Sequence, residues 1–409
     1  MMTEVLQKDR LDATPHNVVA VALVLVFAAV LRLYWNDAQT FFPLADEGRY
    51  LADTKILVER GITSYPAVVD GFLDDPVRWV YPNPLRWGYL GAAALFCGVT
   101  HDVSFRALAT LSTMSGILSV LLTYLIGAEL LQRPAAIAGA ALMATSPLQL
   151  ALGRRALADE LFCLAFLVAI LTLLRYLRAE NEGTRTRWLV GWIIATTFTI
   201  AVKEQFLMVY PIVLLFWWLR GGRRFTPRLL MMWVLPPLLY FSTFCLLSAS
   251  LTKFFRVAWI ITSAMGAPYA SQYQSGPPHR ILIDFLAIAP IVTVIAMVAA
   301  AFLVLQLAHR EEGEWQLMIL LAGIVAVHAL LPSKNLRYLV EADPLFRLLA
   351  ASFVWRQIQA RGLGWPTTIA ALVLNGAAEL MLFITIFIRH GVYDPVTDTV
   401  LRALEMLPR

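Results

Sequence analysis

Charge is what this sequence has least of. Only 15% of its 409 residues are Asp, Glu, Lys or Arg, against roughly 25% in an ordinary soluble domain. Hydrophobic residues make up 59%, more than one soluble core of this size can hide. The same numbers exclude a disordered chain. Cysteine is scarce: Cys97, Cys163 and Cys245 lie in apolar stretches, which excludes a disulfide-stapled secreted module. No Walker A loop, Gly-x-Gly-x-x-Gly or His-Glu-x-x-His pattern occurs. The histidines (His16, His101, His279, His309, His328 and His390) never fall at ligand spacing, so no His-based metal site is expected. No two aspartates flank a single residue, so the Asp-x-Asp motif of nucleotide-sugar enzymes is missing. A net charge of +5 would hint at nucleic acid in a soluble protein, but here the placement of the charges matters more than their sum.

What is present is long apolar runs, so the natural solvent is a bilayer. A spanning helix needs about 20 mostly apolar residues. Eleven candidates are predicted, at about 16–35, 105–131, 134–152, 157–178, 186–202, 205–219, 228–249, 281–307, 315–331, 336–356 and 366–388. Continuous runs exclude a β-barrel, which alternates over about 10 residues. The first span follows Lys8 and Arg10 and ends in Arg32-Leu-Tyr-Trp-Asn without a small-residue cleavage site, so it reads as an uncleaved anchor. With the N-terminus inside, the inner connections carry twelve Arg, among them Arg175, Arg178, Arg185 and Arg187. The short outer connections carry five cations: Arg154, Arg155, Lys203, Lys334 and Arg337. That bias supports N-in, and an odd number of spans puts the C-terminus outside.

The chain therefore reads as a single all-α polytopic membrane domain, residues 1–409, with no internal repeat or separate soluble domain. Two outer loops are long, 36–104 and 250–280. In the first, Tyr50, Leu51, Thr54, Leu57 and Val58 share one helical face and Gly61 offers a stop, which predicts an amphipathic helix in the membrane plane. A second short apolar segment, 85–99, follows. The tail 389–409 is too short to form a domain.

The charges that break the pattern mark the candidate chemistry. Arg154-Arg155 with Asp159-Glu160, Lys203-Glu204, and Lys334 with Arg337-Tyr338 fall at outer helix ends. Asp46-Glu47 lies just beyond the first span. A bundle brings such ends onto one rim. Lys and Arg there can neutralise a phosphate, and a carboxylate can take a proton from a hydroxyl. Blander readings exist for each part. Asp46-Glu47 suits a helix N-cap and first turn equally well. Arg154 and Arg155 could snorkel to headgroups, and Arg337 could anchor lipid. Asp343 and Arg347, four apart in a span, could pair with each other. Tyr269, Tyr273, His279 and Arg280 sit in a Gly/Pro-bearing loop of the kind that decorates interfaces or forms lids. Lys203-Glu204 interrupts an apolar run, so chance is a weaker explanation there.

Several segments form an ordered set: Asp46-Glu47-Gly-Arg49-Tyr50, Tyr81-Pro-Asn-Pro-Leu, Phe105-Arg106 with Gly116 through Gly127, Ser146-Pro147 through Gly153-Arg-Arg-Ala-Leu-Ala-Asp159, Lys203, and Arg337-Tyr338. In their order and spacing the chain, from about residue 16 to 358, resembles the GT-C superfamily of membrane glycosyltransferases. It looks most like the branch of protein O-mannosyltransferases and lipid A aminoarabinose transferases. The resemblance implies an inverting enzyme that moves a sugar from a polyprenyl-phosphate donor to an acceptor hydroxyl. The implied setting is the outer face of the bacterial inner membrane, among membrane lipids and without nucleic acid. It implies Asp46 as general base with Glu47 positioning its neighbours. Lys203 and Arg337 would hold the donor phosphate, with Arg154 or Arg155 assisting. Asp159 would support the acceptor or the Arg cluster, and Tyr338 would line the lipid groove. Arg49, Tyr50, Tyr273, His279 and Arg280 are further candidates on the acceptor side. No cofactor is required, although Asp46, Glu47 and Asp159 could bind a divalent cation. A glycan, a lipid or a protein Ser/Thr would each serve as acceptor.

The chain departs from that pattern at Asn83, where Pro is usual, at Tyr81, where His is frequent, and at Glu341, where Pro often follows the Arg-Tyr pair. The competing class is a lipid-linked sugar flippase or another transporter. Transporters place ionisable groups near the midplane of repeated halves, whereas here they fall at the rim. An assembly subunit with a decayed site, or another outer-leaflet enzyme such as a polymer ligase, would also be polytopic.

Overall fold

The protein is described by a computed structural model covering residues 15–36, 41–80, 82–220, 226–263, 274–305 and 312–407. These residues are helical, with no strand among them. Pro15–Tyr34 (α1) is followed in the first long loop by Asp46–Arg60 (α2), Tyr65–Leu73 (α3) and Trp87–Thr100 (α4). The central helices are Phe105–Leu130 (α5), Arg133–Ala144 (α6), Pro147–Gly153 (α7), Asp159–Arg178 (α8), Glu182–Val202 (α9) and Phe206–Arg220 (α10). Then come Pro227–Leu247 (α11), Leu251–Ser263 (α12), Arg280–Ile288 (α13), Pro290–Leu305 (α14) and Glu312–Leu330 (α15). Ala342–Ala360 (α16), Trp365–Phe383 (α17) and Thr397–Ala403 (α18) close the chain.

Among the described residues six helices are long and apolar enough to cross a membrane, or seven if the bent pair α6–α7 counts as one span. The eleven-span expectation thus divides into long spans and shorter pieces. The predicted span 134–152 is the α6–α7 pair, bent by 54°. α10 has 15 residues and contains Pro211. The segment 281–307 breaks between α13 and α14 at Ala289-Pro290. The segment 336–356 opens with a 3-10 turn, Leu336–Leu339, and only then becomes α16, which carries Asp343, Arg347 and Arg356. The amphipathic helix of the first loop is α2, ended by Gly61 at φ 76°. Its buried face, including Tyr50, Thr54 and Leu57, packs on α4.

Along α1, Val18, Leu23, Val26, Phe27, Val30 and Leu33 are all exposed. α11, α14 and α17 likewise present Trp233 and Leu238, Val294 and Met297, and Val373 and Leu374. Such a belt is costly in water and favourable in hydrocarbon. α8 sits inside it, packed on α5 and α9, while α16 packs on α6.

The charged residues within the bundle answer a backbone problem. Pro147 has no N–H to continue the ladder, so the last carbonyls of α6 receive only long backbone bonds from the Thr145 and Ser146 N–H groups, at 3.3 and 3.4 Å, and keep capacity for further donors in a dry interior. Arg347 Nη1 donates to Leu142 O at 2.6 Å. Arg32 donates to Ala144 O at 3.1 Å and Met143 O at 3.3 Å. Arg347 also pairs with Asp343 (3.0 Å) and with Glu379 of α17 (2.9 Å). Ser146 and Thr145 donate to the same two carboxylates at 2.7 and 2.9 Å. The Asp343–Arg347 pair expected from their spacing is therefore one part of a larger clamp over the kink. Replacing Arg347 by Met leaves two buried carboxylates without their cation. Unfolding in detergent should then be easier by about 3–5 kcal/mol. A thermal-melt midpoint equal to that of the unaltered protein would show that the clamp does not hold the kink.

Candidate functional site

The helix directions bring the C-terminal end of α1, the N-terminus of α8 and the C-terminal ends of α9 and α15 to one end of the bundle. There a cleft of about 640 Å³ opens, lined by Asp46, Arg86, Lys203, Glu204, Arg337 and Asp394 among others. Its apolar wall includes Trp79, Val80, Met208, Ile261 and Leu331.

Arg337 is the hub. Asn335 starts its 3-10 turn, with Oδ1 accepting from the Arg337 N–H at 3.0 Å. The guanidinium then donates to three carboxylates: Asp46 Oδ2 at 3.0 Å, Asp159 Oδ2 at 3.4 Å and Asp394 Oδ1 at 3.0 Å. Burial alone would lower the Arg337 pKa, but Asp159 and Asp46 outweigh it and push it up. Lys203, 2% exposed, donates to Asp159 Oδ1 at 2.7 Å and to the Arg337 carbonyl at 3.2 Å. Its ammonium lies between the rings of Phe162 and Tyr338, at 5.5 and 5.1 Å. Burial lowers the Lys203 pKa, and the Asp159 carboxylate opposes that fall. Asp159 thus couples the two cations.

A second pair forms the adjoining wall. Arg86 grips Glu204 through Nε at 2.9 Å and Nη2 at 3.1 Å, and Asn83 donates to the same carboxylate at 2.8 Å. Burial alone would raise the Glu204 pKa, but Arg86 outweighs it and the pKa falls below its ordinary value. Gly88, the second residue of α4, packs so closely on α9 that a Cβ would stand 2.8 Å from the Ala201 carbonyl carbon. Glycine there holds the Arg86 segment against the end of α9 that carries Lys203 and Glu204.

The predicted site residues therefore fall into two groups. Asp46, Lys203, Arg337 and Tyr338 line the cleft, and Asp159 bridges two of them from behind. Asp46 opens α2, but the N-cap position is Ala45, so its carboxylate faces Arg337. Glu47 points away, fully buried, and accepts from the N–H groups of Phe42 (2.6 Å) and Ala156 (3.0 Å). Burial raises its pKa. It pins the 154–158 segment to the first loop. Arg155 is 3.9 Å from Glu47 and lies between the rings of Phe42 and Tyr393, at 4.8 and 4.9 Å. Arg154 is buried nearby but is not part of the lining. Arg49 pairs with Asp53 at 2.5 Å, and the Tyr50 hydroxyl accepts from Arg86 at 2.8 Å, so these two support the walls. His279 and Arg280 do not line the cleft; Arg280 donates to Thr397 at 2.5 Å and helps seat α18. Tyr273 lies outside the described residues. For a divalent cation the donors are engaged elsewhere. Asp46 and Asp159 face Arg337 and Lys203, Glu47 faces backbone, and the described residues contain no group of three metal-ligating side chains.

Four titratable lining residues were not singled out from the sequence. Arg86 follows the Tyr81-Pro-Asn-Pro-Leu segment directly. Tyr393 and Asp394 come from the tail, in a Gly391-Val-Tyr-Asp-Pro395 turn whose acid just past a span is a usable signal. His328, in the last turn of α15, pairs with Glu341 at 3.3 Å.

A sequence model of the dolichyl-phosphate-mannose-protein mannosyltransferase family matches residues 88–265. Two solved proteins share the architecture. ArnT from Cupriavidus metallidurans, in a structure bound to undecaprenyl phosphate, superposes with TM-score 0.58 at 16% identity, covering 93% of this chain and 66% of that one. The Archaeoglobus fulgidus oligosaccharyltransferase AglB, in complex with an inhibitory peptide and a dolichol-phosphate, gives TM-score 0.57 at 12% identity, covering 90% and 55%. The chain shares the fold of these two proteins, the GT-C fold. The chain spans just under two thirds of the length of ArnT and about half that of AglB. No curated protein sequence matches it.

The Arg86–Glu204 wall of the cleft carries a pH dependence. Glu204→Gln strands the buried Arg86 and should lower the melting temperature at pH 7. Because the Glu204 pKa is depressed in the fold, its contribution is present above the ordinary value of 4.5 and is lost as pH falls below it. The gap between the unaltered protein and the E204Q variant should therefore shrink below pH about 4.5; a gap that stays constant with pH contradicts the pairing.

Proposed function

We propose that this GT-C protein is a glycosyltransferase that takes a sugar from a polyprenyl-phosphate donor and passes it, with inversion, to an acceptor hydroxyl. We place the reaction at the outer face of a bacterial inner membrane. One observation carries the reading: Asp46, Lys203 and Arg337, from distant parts of the chain, share one cleft with an apolar wall, and Arg337 touches Asp46. A glycan, a lipid or a protein hydroxyl would each serve as acceptor.

The chemistry follows from the charges. The acceptor oxygen attacks the anomeric carbon, the bond from that carbon to the phosphate oxygen breaks, and the acceptor proton goes to Asp46. Lys203 and Arg337 hold the phosphate as its negative charge grows. Arg337 donates to Asp46 Oδ2 at 3.0 Å, so that oxygen is engaged by the guanidinium in the empty cleft. A phosphate that takes the same guanidinium N–H leaves Asp46 free to accept a proton. Donor binding thereby frees an Asp46 oxygen for the acceptor proton, while Asp159 keeps Lys203 and Arg337 in register from behind.

Reconstituted protein with radiolabelled polyprenyl-phosphate sugar tests this. Asp46→Asn should reduce transfer by about 10²–10⁴ with expression and melting retained; normal turnover in that variant eliminates Asp46 as base. Lys203→Ala and Arg337→Ala should mainly raise the donor KM, and unchanged donor affinity in both points to another site. Movement of the labelled lipid across vesicles with its glycosidic bond intact identifies a flippase instead.

A further inference from the structure

Beside Lys203 and Glu204 stands a residue that the reaction above leaves idle. Gln205 lines the same cleft and is partly exposed. Its Nε2 donates to the Tyr338 carbonyl at 3.1 Å. The Lys203 ammonium donates to the Arg337 carbonyl at 3.2 Å. The two side chains thus end on consecutive carbonyls of one 3-10 turn, Leu336–Leu339, and such a turn rises only about 2 Å per residue. An anion held on Lys203 and Arg337 therefore has the Gln205 amide as its neighbour.

The Tyr338 contact also fixes which way the amide faces. A carbonyl only accepts, so the NH2 end of Gln205 is turned to Tyr338 and the oxygen is the end left over. That oxygen receives no hydrogen bond from the described residues, and it is not enclosed. It carries no charge and does not titrate, so what it offers the cleft is a hydrogen-bond acceptor and nothing else. The two substituents of a donor phosphodiester answer differently to such a group. A prenyl chain has no proton to share and belongs on the apolar wall of Trp79, Ile261 and Leu331. A sugar is rimmed with hydroxyl donors, and it is bonded directly to the phosphate.

We infer that Gln205 is a sugar-recognition residue, its amide oxygen accepting a hydrogen bond from a hydroxyl of the donor's glycosyl group. This rests on the transferase reading above and adds to it a selector for the sugar. Tying the end of α9 to the 3-10 turn takes only the NH2 end of the side chain; the oxygen is the part that meets the sugar.

Equilibrium binding of the full chain in nanodiscs tests the inference. The probes are undecaprenyl phosphate, its mannosyl, glucosyl and arabinosyl conjugates, and monodeoxy versions of the conjugate that binds best. In the unaltered protein at least one conjugate should outbind undecaprenyl phosphate, and one monodeoxy version should bind about tenfold more weakly than its parent. Gln205→Met keeps the length of the side chain and removes its hydrogen bonds. It should bind the parent about tenfold more weakly and no longer distinguish it from that deoxy version, because both changes delete one and the same hydrogen bond. Undecaprenyl phosphate should bind as before. The inference is overturned if no conjugate outbinds undecaprenyl phosphate, if no single hydroxyl matters, or if Gln205→Met keeps the advantage or still tells parent from deoxy version. A variant that weakens undecaprenyl phosphate and its conjugates alike also overturns it, since Gln205 then serves the phosphate-holding turn alone. Failure of the unaltered protein to bind undecaprenyl phosphate would sink the transferase reading itself.

Discussion

One guanidinium sets the geometry of this protein's polar end. Arg337 is 7% exposed and contacts carboxylates that lie 291, 178 and 57 positions away in the chain. An arginine so far out of water needs compensation, and here that compensation joins the start of α2, the start of α8 and the tail beyond α17. Take away any one acid and the remaining two would carry the burden of a desolvated cation. The convergence of these segments is therefore a requirement of Arg337 as much as a property of the helices, and the cleft lies where they meet.

The same logic runs through the membrane-embedded part. Arg32 and Arg347 would be prohibitive in hydrocarbon alone. They are retained over the α6–α7 kink, where carbonyls 142–144 need donors. The kink aims α7 and the Gly153–Ala158 connection toward the polar end, and so presents Asp159 to Lys203 and Arg337. At the far end of the bundle Glu129 pairs with Arg175 at 2.7 Å and with Arg178, and Arg356 pairs with Glu314 at 2.9 Å. Ion pairs thus fasten both ends and the middle. The apolar helix faces between them need only match lipid.

Much of this was legible in the sequence. Composition and apolar runs pointed to an all-helical membrane protein, and charges at the expected helix ends pointed to Lys203 and Arg337, with Asp46 just beyond the first span. The span count was less legible, because hydropathy does not register a break. Pro147, Pro211 and the Ala289-Pro290 junction turn expected spans into bent or short pieces. Roles within the site were also hidden. Asp46 and Glu47 are adjacent, yet a helical step of about 100° sends one into the cleft and the other to backbone N–H groups. The tail was set aside for its length, although Tyr393 and Asp394 complete the cation cluster. Arg86 went unnoticed because a single cation in a loop carries no pattern; only its partner Glu204, 118 positions away, reveals it.

The proposed chemistry turns on Arg337 exchanging a carboxylate for a phosphate. The most direct measurement is an electron cryo-microscopy map of the full chain in nanodiscs with undecaprenyl phosphate. The phosphate should sit within hydrogen-bond distance of both Arg337 and Lys203, with Asp46 no longer on the guanidinium. A phosphate bound elsewhere, with Arg337 still holding Asp46, Asp159 and Asp394 together, would contradict that exchange outright.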